Sequence, residues 1–361
     1  MTQLVDLLKR TRELGASDLL LSTQAPPAYR VHGKLIPREG EPISRQALEG
    51  MVNALLSEHQ QTLFAQRLEM NLAHRFPDLG RFRINVFRQR GHLAMAIRAI
   101  PLQIPGFEEL GLPEKLRELA MLKRGLILMV GGAGSGKSTT LAVMLEQRNR
   151  NDRCHIITVE DPIEYTFRHQ ESMVNQREVG LDTQSYHQAL MNALRQSPDV
   201  LMIGEIRDRE AMERAIEFAD TGHLCLSTLH ANSANQAFDR IINLFQEHER
   251  AQVLLSLSAN LRGIFSQRLV PTRAGGRIGA YELLVNTPLV SDLIRRGEVS
   301  ALKETMEKDE GYGMISFDQS LYARVREGLI EEATALEYAD SPSNLRLKFR
   351  LEGQGESLSL R

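Results

Sequence analysis

Leu126-Ile127-Leu128-Met129-Val130-Gly131-Gly132-Ala133-Gly134-Ser135-Gly136-Lys137-Ser138 joins a short apolar run to a glycine-rich turn that ends in Lys-Ser. The last eight residues fit G-x-x-x-x-G-K-[ST], and a helical pattern, Thr139–Arg148, follows them. Strand, glycine loop and helix in that order make a phosphate site. The glycines let backbone N–H groups turn inward without Cβ clashes, and the helix adds its positive end. Lys137 is placed to reach the β- and γ-phosphates and Ser138 to ligate Mg²⁺. The expected nucleotide-binding residues are therefore Gly131, Gly132, Ala133, Gly134, Ser135, Gly136, Lys137, Ser138 and Thr139.

Three further apolar runs lie downstream, Ile156–Val159, Val200–Ile203 and Leu224–Leu229, with helical patterns between most of them. Such strands imply a parallel sheet buried on both faces. A phosphate loop needs carboxylates for metal and water at the ends of neighbouring strands. The first run ends Glu160-Asp161-Pro162-Ile163-Glu164 and the second ends Gly204-Glu205-Ile206-Arg207-Asp208. Both ends fall in the crevice where α/β sheets bind ligands. Glu160 and Glu205 are the expected acids. Asp161, Glu164 and Asp208 read equally well as caps or ion-pair partners. The third run ends at His230, placed to sense the γ-phosphate or to pass a signal across a subunit boundary. His223 precedes the same run and reads as structural.

Upstream, the first hundred residues read as a small α+β domain. Val5–Leu14, Ser44–Leu56 and Glu58–Arg67 have helical patterns, and Asp18–Ser22 and Ala28–Val31 read as strands. Phe82, Ile84, Val86 and then Leu93, Met95, Ile97 alternate with other residues on either side of Gln89-Arg90-Gly91-His92, which predicts a β-hairpin. With Arg90-Gly91 as a two-residue loop, Phe82 faces Ala99, Ile84 faces Ile97 and Val86 faces Met95, while Arg83 stands opposite Arg98. Like charges so opposed are destabilising unless something compensates them. The spacing leaves two readings open: both arginines splay into solvent or find acids nearby, or the pair stays uncompensated to clamp a phosphate. Pro101–Pro113 is rich in proline and glycine and reads as a linker. The expected division is 1–100 for the N-terminal domain, 101–114 for the linker, 115–285 for the phosphate-loop domain and 286–361 for a helical C-terminal region with a polar tail.

Composition narrows the classes. The chain has 361 residues, and 44 Lys plus Arg against 46 Asp plus Glu leave a net charge of −2, so a large nucleic-acid footprint is not expected. Hydrophobic residues at 42% exclude global disorder, and no apolar run is long enough for a membrane span. The N-terminus is charged throughout, unlike a signal peptide. Cys154 and Cys225 alone make neither a disulfide framework nor a four-cysteine zinc site. A cytoplasmic protein is expected.

Four boxes now stand together: GGAGSGKSTT, ITVEDPIEY, DVLMIGEIRD and TGHLCLSTLHANSA. In this order and spacing they resemble the secretion-type ATPases, the hexameric RecA-like motors of type II secretion and type IV pili. GASDLLLSTQAPPAYRVHGKL and VNQREVG are similar to that family too. The chain looks most like the pilus retraction branch, the PilT and PilU proteins. A two-pair cysteine module and a further N-terminal domain, usual in assembly and secretion members, find no match here. Tyr338–Leu347 looks more like PilU than PilT. The resemblance implies a PAS-like N-terminal domain, a RecA-like ATPase domain, and a homohexamer driving type IV pilus retraction with ATP and Mg²⁺. It implies as partners a PilT-type ATPase and a platform protein of the inner membrane, at which the motor would be peripheral. It implies Glu205 as the catalytic glutamate, Glu160 as the acid holding Mg²⁺ through water, and Arg83 and Arg98 as cations for the transferring phosphate, although the residues alone leave the two glutamate roles exchangeable. Closure of the small domain about Pro105-Gly106 would be the working stroke. The rival readings are an assembly or secretion ATPase, a nucleic-acid translocase and a non-catalytic nucleotide-binding regulatory subunit.

Overall fold

The structure, a computed structural model, describes residues 2–31, 33–36, 40–309 and 311–359. The chain divides into two compact units, Met1–Gln103 and Ile104–Arg361.

The first unit carries α1 (Thr2–Glu13), β1 (Asp18–Ser22), β2 (Ala28–Val31), β3 (Lys34–Leu35), α2 (Arg45–Leu55), α3 (Glu58–Arg67), β4 (Glu69–Phe76), β5 (Gly80–Gln89) and β6 (His92–Ala99). Its six strands run in the order β3-β2-β1-β6-β5-β4. Ser44 caps α2 through Ala47 N, and Ser57 with Gln60 forms a capping box on α3, so both helices start where their side chains satisfy free N–H groups. Leu4, Leu8, Leu48, Met51, Val52 and Leu55 meet one sheet face, which presents Leu19, Ile84 and Ile97. The hairpin has the expected register: Gln89 pairs with His92, Phe82 with Ala99, Ile84 with Ile97, and Arg83 with Arg98. Arg90 and Gly91 both have positive φ, 49° and 78°, the backbone a two-residue type I′ turn needs.

The structure decides between the two readings of the arginine pair. Arg98 Nε lies 2.9 Å from Asp18 Oδ1, so the arginine pair is not left uncompensated. Asp18 sits opposite Arg98 on one side and Arg30 on the other, and it pairs with both. The sequence distance of 80 residues between Asp18 and Arg98 hid the contact. Arg83 makes no side-chain hydrogen bond or ion pair among the described residues.

The second unit holds α4 (Glu114–Ala120), β7 (Gly125–Val130), α5 (Lys137–Asn151), β8 (His155–Glu160), β9 (Met173–Glu178), α6 (Tyr186–Ala193), β10 (Val200–Ile203), α7 (Arg209–Asp220), β11 (Leu224–Leu229), α8 (Ala234–Asn243), α9 (Arg250–Asn260), β12 (Leu261–Pro271) and β13 (Arg277–Val285). It continues with α10 (Pro288–Arg296), α11 (Leu302–Glu307), α12 (Phe317–Arg326), α13 (Glu332–Tyr338) and α14 (Pro342–Ser359). Its seven strands run β13-β12-β7-β11-β10-β8-β9. Every pairing is parallel except β12 with β13, a hairpin through Thr272–Gly276, so the sheet is mixed rather than purely parallel. β7, β10 and β11 are buried at every position, as strands covered on both faces must be.

Two further stretches join this unit, the first of them read from the sequence as a linker. Phe107, in the presumed linker, is buried against Leu116 and Leu119. The tail begins α14, where Leu345 is buried with Val270, Leu321 and Ala335, and Phe349 stacks on Tyr322. No helix among the described residues is long and apolar enough to cross a membrane.

Candidate nucleotide site

The loop Gly131–Gly136 leaves β7 and enters α5, with Gly131, Gly134 and Gly136 at φ 151°, 73° and 95°. A Cβ on Gly136 would lie 2.9 Å from Gln267 Nε2, and one on Gly131 would lie 2.6 Å from the Gln267 carbonyl oxygen. Both the dihedrals and the close approach of β12 therefore require glycine. Gln267 also accepts a hydrogen bond from Thr140 Oγ1 at 2.7 Å, tying α5 to β12.

The parallel register brings the ends of β7, β8, β10 and β11 to one edge. A cavity of about 280 Å³ opens there, lined by Ala133, Gly134, Lys137, Ser138, Glu160, Asp161, Glu164, Tyr165, Tyr186, Glu205, Arg207 and His230. Lys137 Nζ donates to the carbonyls of Gly131 at 2.7 Å and Gly132 at 2.8 Å. Its burial lowers the ammonium pKa, while Glu205 and Glu164 favour the charge. Ser135 is buried beside Gly131, and Thr139 Oγ1 lies 2.9 Å from the hydroxyl of Tyr165, a cavity-lining residue.

Glu160 ends β8 and is 7% exposed. Burial raises its carboxyl to about 7, against hydrogen bonds from Thr158 Oγ1 at 2.7 Å and Gln176 Nε2 at 3.1 Å. No cation pairs with it among the described residues. Among the described residues no cluster of three or more His, Cys, Asp or Glu could hold a metal by itself. A buried uncompensated carboxyl in a cavity that Ser138 also lines, headed by a phosphate loop, fits a cation that arrives with a nucleotide.

Glu205 follows β10 after Gly204. A Cβ on Gly204 would meet Tyr186 Oη at 2.8 Å, which lets the chain pass close to α6. Glu205 Oε1 lies 2.7 Å from His230 Nε2, and Glu205 Oε2 accepts from Arg207 Nε at 2.6 Å. Arg207 reaches Asp161 at 3.5 Å as well. The carboxylate is thus held between two side chains at the cavity wall. Asp208 caps α7 through Ala211 N, and Asp161 is an ion-pair partner, so the open readings of these two acids end structurally. His223 meets Thr221 Oγ1 at 3.0 Å and packs against Phe218, at the opposite end of β11. Arg83 and Arg98 belong to the first unit.

Sequence reasoning missed Arg207, Gln176, Thr158 and Tyr186. Arg207 had a signal, since it lies two residues past Glu205 on the same strand end. Gln176 had none, because β9 reads as polar and its pairing with β8 is a tertiary fact.

Comparison with known proteins agrees with this geometry. Residues 74–332 match the family described as type II/IV secretion system protein. The type IV pilus ATPase PilU of Pseudomonas aeruginosa is 48% identical over 97% of this chain and 92% of its own. The type IV pilus retraction ATPase PilT of the same organism is 37% identical over 94% of this chain and 99% of its own. A crystal structure of the pilus retraction motor PilT with bound ADP superposes with a TM-score of 0.88 at 41% identity, covering 95% of this chain and 98% of that one. With a phosphate loop, two strand-end glutamates and a histidine on one sheet edge, and with relatives matched along nearly their whole length, the chain belongs to the type II/IV secretion system protein family.

Proposed function

We propose that this protein is an ATP-hydrolysing motor for type IV pilus retraction. The observation that carries the reading is Glu205, fixed by His230 and Arg207 on the wall of the cavity that Lys137 and Ser138 line. The similarity to PilU and PilT supports the pilus as the machine served.

Phosphoryl transfer asks for a placed water and compensation of charge rather than covalent chemistry by the protein. The loop N–H groups and Lys137 hold the β- and γ-phosphates, and Lys137 exchanges its two loop carbonyls for them. Glu205 takes the proton of the attacking water, and His230 and Arg207 set the direction of its lone pair. Ser138 and Glu160 would hold Mg²⁺, which neutralises phosphate charge when bound. Glu160 then acts as an anion, a state that burial disfavours without the cation. Arg83 and Arg98 are the proposed cations for the transferring phosphate in a homohexamer.

Two measurements test the reading. ATP turnover by the purified protein should vanish in Lys137→Ala through loss of nucleotide binding. Deleting the gene should leave surface pili in excess and abolish twitching. Loss of surface pili instead would reassign the protein to pilus assembly.

A further inference from the structure

β12 carries two adjacent polar residues, Gln267 and Arg268, that leave the strand on opposite faces because side chains alternate. Gln267 goes to the phosphate loop, as described. Arg268 goes to the other face and gathers three groups from distant parts of the chain. Its Nη1 donates to the Tyr338 carbonyl at 2.8 Å. Its Nη2 lies 2.7 Å from Asp340 Oδ1 and donates to the Asn232 carbonyl at 3.4 Å. The guanidinium carbon stands 3.8 Å from the centre of the Phe317 ring, which fixes the plane of the fork.

Each group has a consequence. Asn232 is two residues past His230, and its Oδ1 lies 3.8 Å from where a Cβ on Gly132 would be. The segment His230–Asn232 therefore touches Glu205 at one end and borders the phosphate loop at the other. Asp340 and Ser341 donate their N–H groups to the Asp318 carboxylate at 2.8 and 3.0 Å, and Asp340 also pairs with Lys303 at 3.4 Å. The turn from α13 into α14 is thus anchored on its own side. Between that anchor and the reacting edge stands one guanidinium. Only a rigid fork with several donors spans three directions at once, so lysine is no substitute.

We propose that Arg268 is a positioning residue for hydrolysis: held by Tyr338 and Asp340, it fixes the His230–Asn232 segment, so the C-terminal segment sets the geometry in which His230 holds Glu205. The proposal rests on the ATPase reading above and adds to it a control exerted in cis by residues 338–341.

The test compares full-length Arg268→Gln, Arg268→Lys and Asp340→Asn with the unaltered protein. Steady-state turnover is read together with the affinity for a fluorescent ADP analogue and with amide hydrogen exchange. Arg268→Gln should lower kcat by roughly 2- to 30-fold, the range for coupling through a packed network, with ADP-analogue affinity kept within about 2-fold. Arg268→Lys should not restore the rate. Asp340→Asn, the milder change, should lower kcat in the same direction, and the double variant Arg268→Gln with Asp340→Asn should be no slower than Arg268→Gln alone. Amides of residues 230–234 should exchange faster in each variant, with β7 unchanged. Unaltered kcat together with unaltered exchange at 230–234 would overturn the proposal. So would equal losses of rate and nucleotide affinity with exchange raised across the whole unit, which marks a merely structural residue. If the unaltered protein hydrolyses no ATP, the ATPase reading fails, while the exchange at 230–234 still decides whether Arg268 and Asp340 hold that segment.

Discussion

In the proposed mechanism Glu205 is the base, and its two neighbours hold it more firmly than a lone carboxylate on a loop would be held. Glu205→Gln keeps an oxygen for Arg207 but removes the base. It should bind nucleotide almost normally and turn over roughly two to four orders of magnitude more slowly in single-turnover assays. Wild-type turnover in that variant would move the base to Glu160. A second buried acid, Glu282, gives a pH prediction. It accepts from Ala234 N at 2.7 Å and Ser266 Oγ at 2.9 Å, and burial raises its carboxyl pKa despite those bonds. The folded protein then binds this proton more tightly than the unfolded chain does. The stability it contributes is full below the ordinary carboxyl value and is lost as pH rises through the raised one. Glu282→Gln retains an oxygen for both donors and should flatten that decline, with a higher melting temperature than the unaltered protein near pH ~8. A steeper decline in the variant would show that the carboxylate is the favoured form.

Among the elements, the β5–β6 hairpin was readable to the residue because period-two alternation and a two-residue turn leave one register that buries Phe82, Ile84 and Val86 together. Its weak point is Arg90 at φ 49°, where a bulky L-residue is strained. Arg90→Asn should stabilise the protein by about 0.5 kcal/mol in denaturant titration, since Asn-Gly suits a type I′ turn. The arginine pair divides in two. Arg83→Gln removes an unpaired like charge and should be neutral or stabilising by a few tenths of a kcal/mol, whereas Arg98→Gln loses Asp18 and should cost up to about 1 kcal/mol. Thermal melts without nucleotide separate the two. Equal effects would mean that the Asp18 contact contributes nothing. β9, β12, β13 and α14 escaped the sequence reading, because their patterns mix polar and apolar residues according to neighbours far along the chain. Leu345 shows it: it lies in a polar tail yet is 2% exposed.

For the molecule as a whole, the prediction concerns assembly. The proposed mechanism makes the ring the working form of the protein. The turnover per subunit should therefore rise with protein concentration until the ring forms, read by ATPase assay alongside light scattering. Full activity in a monodisperse monomer at nanomolar concentration would remove the ring from the mechanism.

The order of events along the chain was legible from local rules. The glycine spacing of the phosphate loop, the acids at the ends of apolar runs and the alternation of the hairpin each depend on neighbours within a few residues, and backbone sterics and pleat dictate their form. Glu160, Glu205 and His230 could be named because a parallel sheet sends consecutive strand ends to one edge. What the sequence left open were pairings across long separations: Asp18 with Arg98, Gln176 with Glu160, Arg268 with Asn232 and Asp340. A side chain's partner there depends on which strand lies beside which, and strand order is set by packing both faces of the sheet at once. Hence the tertiary structure alone decided which charges are compensated, and what holds Glu205 in place.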